Sequence, residues 1–362
     1  MKSLIEIENN KRISAIACRF EFIDSLRGFL IFLVVLHHTS LWGLGIDYMN
    51  AYHHYYMQFF MPLFFLISGF VGYKGEFKRS KNYIKSLLGK FRVLVVMATF
   101  FLILENIISR NGEDILIALF SGGGKYWFTY VLFYSIILLD FYWIFIGFLK
   151  IKDKYKDYLL LGFSLSFWGI ASCFDNLVSV MDLSEIYIDV FNFFGGVNLK
   201  FFTFYVIGIL IKKKWKYFET KFIDSSFLLI CILMYLGINV IDALVNIHYG
   251  FIYTIAAFSG SIVIFFLFYK NQDFFSSNNL LGKIFQFIGK RTLDIYWLHY
   301  FFIPYTFLTI YPNIVGLQVP LVEMILSIIL SIPVICASIT ISIILRLSPL
   351  LGFYFFGVKS SK

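Results

Sequence analysis

The chain has 362 residues, of which 59% are hydrophobic, 21% aromatic and 15% charged, and its formal net charge is +9. Soluble domains are about half apolar and about a quarter charged, so this composition excludes a disordered chain and argues against a water-soluble enzyme. No long polar stretch of the sequence could form a large soluble domain, and we therefore predict an all-α polytopic membrane protein.

The apolar stretches of the sequence predict about ten transmembrane helices, since a crossing requires roughly 20 residues. We expect a membrane domain over residues 22–347, between cytoplasmic tails over residues 1–21 and 348–362. The fifth stretch is short, and Asn198 and Lys200 interrupt the sixth. The centres of the stretches lie near Leu33, Phe64, Val96, Leu138, Phe167, Phe204, Leu233, Ile262, Phe302 and Leu330.

The distribution of basic residues predicts the orientation. If the N-terminus is cytoplasmic, all but four of the 31 Lys and Arg residues fall in the two tails or in cytoplasmic loops. Of these four, Arg110 and Lys125 lie in outer loops, whereas Arg27 and Lys200 lie within apolar stretches. Cytoplasmic loops of membrane proteins carry an excess of Lys and Arg. Both termini are therefore expected in the cytoplasm, and the positive charge needs no nucleic-acid partner to explain it.

The first stretch, FIDSLRGFLIFLVVLHHTSLW, carries ionisable side chains at membrane depth. Arg27 and His38 are separated by about three helical turns, which places them on one face and about 16 Å apart along the axis. Asp24 falls within about 60° of both, whereas His37 points away. Ionisable groups inside a membrane are costly and usually mark a site. The pattern is equally compatible with a structural role, in which His38 bonds a neighbouring helix and Arg27 reaches the inner interface.

Three further residues are second-tier candidates. His299 lies about 15 Å into the ninth stretch, which opens at Gly289 and also contains Tyr296. Lys200 lies near the membrane centre if the sixth stretch ends at Ile211, about 16 Å away. A hydrogen-bonded core histidine and an outer-loop lysine above a short helix are the structural alternatives.

The segment KRSKNYIKSLLGKFR, at the start of the third stretch, contains Lys85, Lys90 and Arg92. Such a cluster can bind the phosphates of an anionic cofactor at the cytoplasmic face. The excess of basic residues in cytoplasmic loops explains it as well.

Four segments occur in chain order: FIDSLRGFLIFLVVLHH with Arg27 and His38, FFMPLFFLISGFV with Pro62 and Ser68 to Phe70, YWFTYVLF with Trp127 and Phe128, and IGKRTLDIYWLH with Gly289, Thr292, Tyr296 and His299. Together they resemble the motifs of the membrane-bound acyltransferase family 3. In the second segment Gly69 is expected to permit close packing of helices.

The resemblance runs from about residue 22 to about residue 346 and implies a ten-helix protein of the bacterial inner membrane. Members move an acyl group, usually acetyl from acetyl-CoA, onto a hydroxyl of a cell-envelope saccharide. The chain resembles the stand-alone form of the family, without an appended extracytoplasmic domain. The partners implied are an acyl-CoA donor as co-substrate, a saccharide or lipid-linked saccharide as acceptor, and the lipid bilayer.

The spacing on the first helix and the resemblance lead to one catalytic hypothesis. A cation near the cytoplasm and an imidazole further out suit an extended coenzyme A thioester. His38 would act as the general base that takes the proton of the acceptor hydroxyl. Arg27 would orient the donor or offset negative charge, and Asp24 would hold Arg27 in place. An acyl-histidine intermediate is the competing mechanism.

The third stretch departs from the family pattern. Two arginines spaced R-x-x-R are usual there, but Gly89 occupies the first position and only Arg92 matches the second. The proline that commonly follows is absent. Lys90 or Lys85 would have to replace the missing arginine, and with that replacement we expect these residues and Arg92 to contact the coenzyme.

Other functions are compatible with parts of the pattern. A transporter or flippase of a lipid-linked sugar, without acyl transfer, would also need intramembrane charge and an aromatic interior. No second half of the chain resembles the first stretch, however. A partner-binding scaffold gives no reason for Arg27 and His38 to share a face. Because the four cysteines are far apart in the sequence, we expect no metal site.

Overall fold

The computed structural model describes residues 20–46, 51–73, 75, 83–109, 124–149, 151–181, 185–223, 225–245, 251–305 and 319–356. Within these ranges the regular elements are helices without strands, which confirms the all-α fold. The α-helices are α1 (Glu21–His38), α2 (Ala51–Gly72), α3 (Tyr83–Phe91), α4 (Met97–Ser109), α5 (Trp127–Phe148), α6 (Asp153–Met181), α7 (Glu185–Phe193), α8 (Phe201–Lys213), α9 (Trp215–Ile223), α10 (Ser225–Val245), α11 (Phe251–Lys270), α12 (Leu280–Gly289), α13 (Thr292–Leu298), α14 (Pro320–Leu347) and α15 (Pro349–Phe356).

Several helices are long and apolar enough to cross a membrane. By length and composition, the described residues contain 7 such helices, or up to 8 if one bent pair is a single span. The stretch predicted around Leu233 coincides with a shorter apolar helix, Ser226–Asp242. The stretch predicted around Phe302 contains α13 and a 3₁₀ turn, His299–Phe302, that follows it. The chain is therefore a multi-pass membrane protein, and the count of ten stays a prediction.

The fifth stretch, which is short as an apolar run, lies within a longer helix. α6 contains 29 residues. Serines lower the hydropathy of this segment, but the Ser164 hydroxyl donates to the Leu161 carbonyl oxygen at 2.9 Å and the Ser166 hydroxyl donates to that of Phe163 at 2.7 Å. Hydroxyls that bond within their own helix add polarity to the sequence without ending the helix.

The interruption predicted in the sixth stretch is confirmed. Gly195 and Gly196 have φ values of 110° and 53°, a left-handed backbone that glycine adopts without steric cost. They separate α7 from a 3₁₀ turn, Gly196–Lys200, that leads into α8. The two helical parts of this segment are bent by 43° relative to each other.

The contact between α1 and α12 is a direct approach of two backbones. A Cβ atom added to Gly28 would lie 2.0 Å from the carbonyl oxygen of Phe285, and one added to Gly289 would lie 1.8 Å from that of Asp24. Small residues at such interfaces allow the close van der Waals packing that drives helix association in membranes. The contact fixes α12, and with it α13, against α1.

A second close approach joins α2 to α8. A Cβ atom at Gly69 would lie 1.9 Å from the carbonyl oxygen of Tyr205, and one at Gly208 would lie 1.9 Å from that of Leu66. The packing role predicted for Gly69 is confirmed. This contact holds two walls of the cavity described below, because α2 contributes Met61 and α8 contributes Phe201.

Candidate active site

α1 ends at His38 and continues as a π-helical turn, Thr39–Gly43. Short π-helical segments occur frequently at functional sites. The turn places the indole of Trp42 over the His38 imidazole, with ring centroids 4.8 Å apart and planes inclined by 10°. This offset stacking constrains the plane of the His38 ring.

His38, at the end of α1, contacts His299, which lies immediately after α13. Nδ1 of His38 lies 2.8 Å from Nε2 of His299, although the two residues are 261 positions apart in the sequence. The ring planes differ by 9°, and the centroids are 5.0 Å apart. A nitrogen separation of 2.8 Å is a hydrogen-bond distance and too short for face-to-face contact. The two imidazoles therefore meet edge to edge in nearly one plane.

A break in the ninth stretch places His299. α13 ends at Leu298, and a 3₁₀ turn, His299–Phe302, follows it. Nδ1 of His299 lies 3.0 Å from the carbonyl oxygen of Ile295, and the side chain is fully buried. Before the break, the Thr292 hydroxyl donates to the carbonyl oxygen of Gly289 at 2.7 Å. Gly289 and Thr292 of the fourth sequence motif thus form the turn between α12 and α13, and His299 of the same motif contacts His38.

Two tyrosines tie this segment to the turn that precedes α5. The hydroxyls of Tyr296 and Tyr300 donate to the carbonyl oxygen of Lys125 at 3.2 and 2.8 Å. The Tyr300 ring centroid lies 5.0 Å from that of His38 and 4.0 Å from that of His299. Tyr296, a second-tier candidate, therefore lies beside the histidine pair, and Tyr300 is a neighbour that the sequence did not single out.

A cavity of about 400 Å³ lies beside His38. This volume falls within the range of small-molecule sites, and the wall is mainly apolar, as such sites usually are. The ionisable groups among its lining residues are His37, His38, Lys125 and tyrosines. Its aromatic lining includes Trp42, Trp127, Phe201, Tyr253, Tyr296 and Tyr300.

His37, predicted to point away from the face shared by Arg27 and His38, also lines the cavity. Adjacent residues on a helix differ by about 100° in direction, and the lining of the cavity includes both His37 and His38. The imidazole of His37 packs near the rings of Phe60 and Tyr56, with centroid distances of 6.0 and 6.4 Å.

Lys125 is a cavity residue that the sequence placed in an outer loop without a role. Its ammonium lies 2.7 Å from a carboxylate oxygen of Glu105, and the two side chains are 24% and 9% exposed. The same ammonium lies 5.2 Å from the Trp42 ring centroid and 5.8 Å from that of Tyr300. Two signals could have found it: Lys125 immediately precedes the third motif, and Glu105 is an acidic residue within the third apolar stretch.

A narrow crevice continues from the cavity along α1 in the direction of Arg27. It shares Val34, Met61 and Tyr296 with the cavity and extends to Ile31. Its volume is about 10 Å³, which is space for roughly one water molecule. An extended ligand would pass through the crevice only after its lining side chains move.

Arg27 and Asp24 lie at the other end of α1. Nη1 of Arg27 is 4.0 Å from Oδ1 of Asp24, with side chains 31% and 6% exposed, in agreement with their predicted common face. Neither residue lines the cavity or the crevice. The structure therefore brings His299 and Tyr296 to His38, and it keeps Arg27 about three and Asp24 about four helical turns away.

The remaining candidates do not line the cavity. Lys200 is the last residue of the 3₁₀ turn before α8, with Nζ 5.6 Å from the Phe201 ring centroid, which favours a lysine above a short helix. Lys85 and Lys90 are exposed on α3. The guanidinium of Arg92 lies 4.1 Å from the ring centroid of Phe353 on α15.

Within the described residues, no group of three or more His, Cys, Asp or Glu side chains could hold a metal ion. The groups described at the site are imidazoles, tyrosines and a lysine–glutamate pair, and such groups perform proton transfer and charge stabilisation.

A family model described as an acyltransferase domain matches residues 20–347. The match covers nearly the whole chain and all the elements that form the cavity. No protein of curated function and no solved structure was found to match. From this match and from its apolar helices, the chain belongs to acyltransferase family 3 and is a membrane-bound acyltransferase.

Proposed function

We propose that the protein is an integral-membrane O-acyltransferase that moves an acyl group, in the simplest case acetyl, from acyl-CoA to a hydroxyl group of a cell-envelope saccharide. The observation that carries the proposal is the hydrogen-bonded pair of His38 and His299 at the wall of a cavity of ligand-binding size. Membership of an acyltransferase family supports it.

The orientation expected from the basic residues divides the site between the two sides of a bacterial inner membrane. Arg27 then lies near the cytoplasm, and His38 lies about 16 Å further out along α1. The charged head of coenzyme A would remain at the cytoplasmic face, where Lys85, Lys90 and Arg92 supply positive charge. The thioester would extend along α1, and the saccharide would enter the cavity from the outer side.

In the proposed reaction, the acceptor hydroxyl oxygen attacks the thioester carbonyl carbon while Nε2 of His38 takes the hydroxyl proton. The tetrahedral intermediate carries one negative charge on the former carbonyl oxygen, and His38 carries one positive charge. Collapse of the intermediate breaks the carbon–sulfur bond. The departing thiolate receives the proton from His38, which leaves an O-acyl ester, free coenzyme A and a neutral imidazole.

Glycan mass spectrometry of a deletion strain and its parent tests the proposal. We expect one saccharide to lose the mass of an acyl group in the deletion strain. The wild-type gene should restore this mass, and a gene encoding His38→Ala should not. Surface glycans with unchanged acylation would contradict the proposal, and accumulation of a fully acylated saccharide inside the cell would indicate a flippase instead.

Binding of the donor provides a second test, with purified protein in detergent. We expect acetyl-CoA to bind to the wild-type protein. Replacement of Lys85, Lys90 and Arg92 by glutamine should weaken this binding, because it removes positive charge from the proposed coenzyme site. Equal affinity of wild-type and triple-variant proteins would place the coenzyme elsewhere.

A further inference from the structure

We propose that His299 is a positioning residue that holds His38 in one tautomer, with a proton on Nδ1 and a free lone pair on Nε2. The inference deepens the proposed function and rests on it for the role of His38 as a base. It assigns to His299 no contact with the donor or the acceptor.

The directions of two hydrogen bonds carry the inference. The carbonyl oxygen of Ile295 can only accept, so Nδ1 of a neutral His299, 3.0 Å away, donates to it. A neutral imidazole carries one proton, and Nε2 of His299 must then accept. Its partner at 2.8 Å is Nδ1 of His38, which must donate. The remaining nitrogen of His38, Nε2, is therefore unprotonated.

The opposite bond direction is disfavoured by burial. It would require protons on both nitrogens of His299, whose side chain is fully buried. A buried cation is costly unless it is paired, and the ammonium of Lys125 is bound in the wall of the same cavity. The neutral ring of His299 is therefore the state that fixes the direction.

The packing of the rings supports a fixed orientation. Because the two imidazoles are nearly coplanar, the acceptor lone pair of His299 lies in the direction of the His38 Nδ1 proton. Trp42 stacks against His38 at 4.8 Å, and Tyr300 lies 4.0 Å from His299. Rotation of either ring would break these contacts together with the hydrogen bond.

The same bond also supports the protonated state of His38. When Nε2 takes a proton from the acceptor hydroxyl, the ring becomes an imidazolium and its Nδ1–H bond to His299 becomes charge-assisted. Charge-assisted bonds are roughly twice as strong as neutral ones. His299 thus serves the base in both of its states, as an orienting carboxylate does in a catalytic triad.

The test reads the tautomer directly, by nitrogen NMR of the full chain labelled with ¹⁵N-histidine in detergent micelles. The His38 signals are identified as those lost in a His38→Ala variant. In the wild type we expect a pyrrole-type Nδ1 and a pyridine-type Nε2 for His38. The reverse assignment in the wild type would overturn the inference without any variant of His299.

Two variants of His299 separate positioning from packing. His299→Gln keeps an acceptor oxygen for the His38 Nδ1 proton, whereas His299→Leu removes it. We expect the His299→Leu variant to lose about 100-fold in the turnover of acyl transfer and to carry the His38 proton on Nε2. The His299→Gln variant should retain a turnover within about tenfold of the wild type. Equal losses in Gln and Leu variants that are monodisperse and thermally stable would overturn the inference.

The outcomes also distinguish this inference from the proposed function. If the wild-type tautomer is as expected but no acceptor is acylated, the function is wrong and the pairing stands. If acyl transfer occurs but His38 is protonated on Nε2, the function stands and the positioning role is wrong.

Discussion

The adjacent residues His37 and His38 show how strongly a role depends on one contact. Both side chains line the cavity, but the 2.8 Å bond to His299 is made by His38. The ring centroids of His37 and His38 are 5.2 Å apart, so substitutions at these two positions perturb neighbouring parts of the same wall. His37 is therefore a matched control for the proposed base.

We predict that His38→Ala lowers the turnover of acyl transfer by about 10²- to 10⁴-fold, the usual contribution of a general base. His37→Ala should lower it by less than about tenfold, because the bond between His38 and His299 stays in place. Release of the coenzyme A thiol by the purified variants measures both effects. A loss of similar size at both positions would show that shape, and not proton transfer, is what His38 supplies.

The pair of Lys125 and Glu105 sets a second prediction for single residues. Lys125→Met leaves the buried Glu105 carboxylate without its partner, and removing one member of a buried pair destabilises a protein by about 3–5 kcal/mol. We expect the low end of this range, because Lys125 is 24% exposed. The double variant Lys125→Met with Glu105→Gln should recover most of the thermal stability in detergent. A double variant no more stable than the single one would contradict this explanation.

At the scale of elements, the contact between α1 and α12 determines where the two histidines meet. α12 and α13 are consecutive, so a shift of α12 away from α1 moves the turn that carries His299. Gly289 has the shortest such contact on α12, with a Cβ placed 1.8 Å from a backbone oxygen of α1. The backbone of α1 cannot yield as a flexible side chain would.

We predict that Gly289→Ala lowers both the thermal stability and the turnover, because the added methyl group forces α1 and α12 apart. Gly162→Ala on α6 is the control, since nothing lies within 4 Å of a Cβ there. That change should leave turnover unaltered and stabilise the protein by about 1 kcal/mol or less, from helix propensity. Equal effects of the two substitutions, measured by thermal unfolding in detergent, would contradict the close approach.

For the whole molecule, the direction of the site across the membrane follows from topology. The distribution of basic residues predicts that both termini face the cytoplasm. His38 and the cavity then lie toward the outer side, and Arg27 toward the cytoplasm. Under the proposed function, this direction decides from which side donor and acceptor would approach.

We predict that a fluorescent protein fused to the C-terminus is fluorescent, because the C-terminus is expected in the cytoplasm, where such a protein folds. Alkaline phosphatase fused after Arg110, in a predicted outer loop, should be active, because this enzyme requires an oxidising compartment for its disulfides. An active phosphatase at the C-terminus would reverse the orientation and the proposed approach of both substrates.

The site was only partly predictable from the sequence. The pairing of Asp24 with Arg27 follows from helical spacing, because both lie on one short segment. His299 was a weak candidate, because its partner lies 261 positions away and periodicity reports only on neighbours along one helix. Lys125 was assigned to an outer loop without a role, because its ion pair with Glu105 joins two segments that the sequence does not relate. His37 was not a candidate for the site because it points away from the helix face of Arg27 and His38, and direction on one helix does not show which residues line a cavity.

The sequence by itself determined that this is an all-α membrane protein of an acyltransferase family, because composition, apolar length and motif order are properties of the chain alone. It also predicted the interruption of the sixth stretch near Asn198 and Lys200, since polar residues inside an apolar stretch are visible in the sequence itself. Tertiary structure decided which imidazole meets His38, how wide the cavity is and how narrow the crevice is. These depend on side chains of distant helices that meet only when backbones approach at glycines such as Gly28 and Gly289.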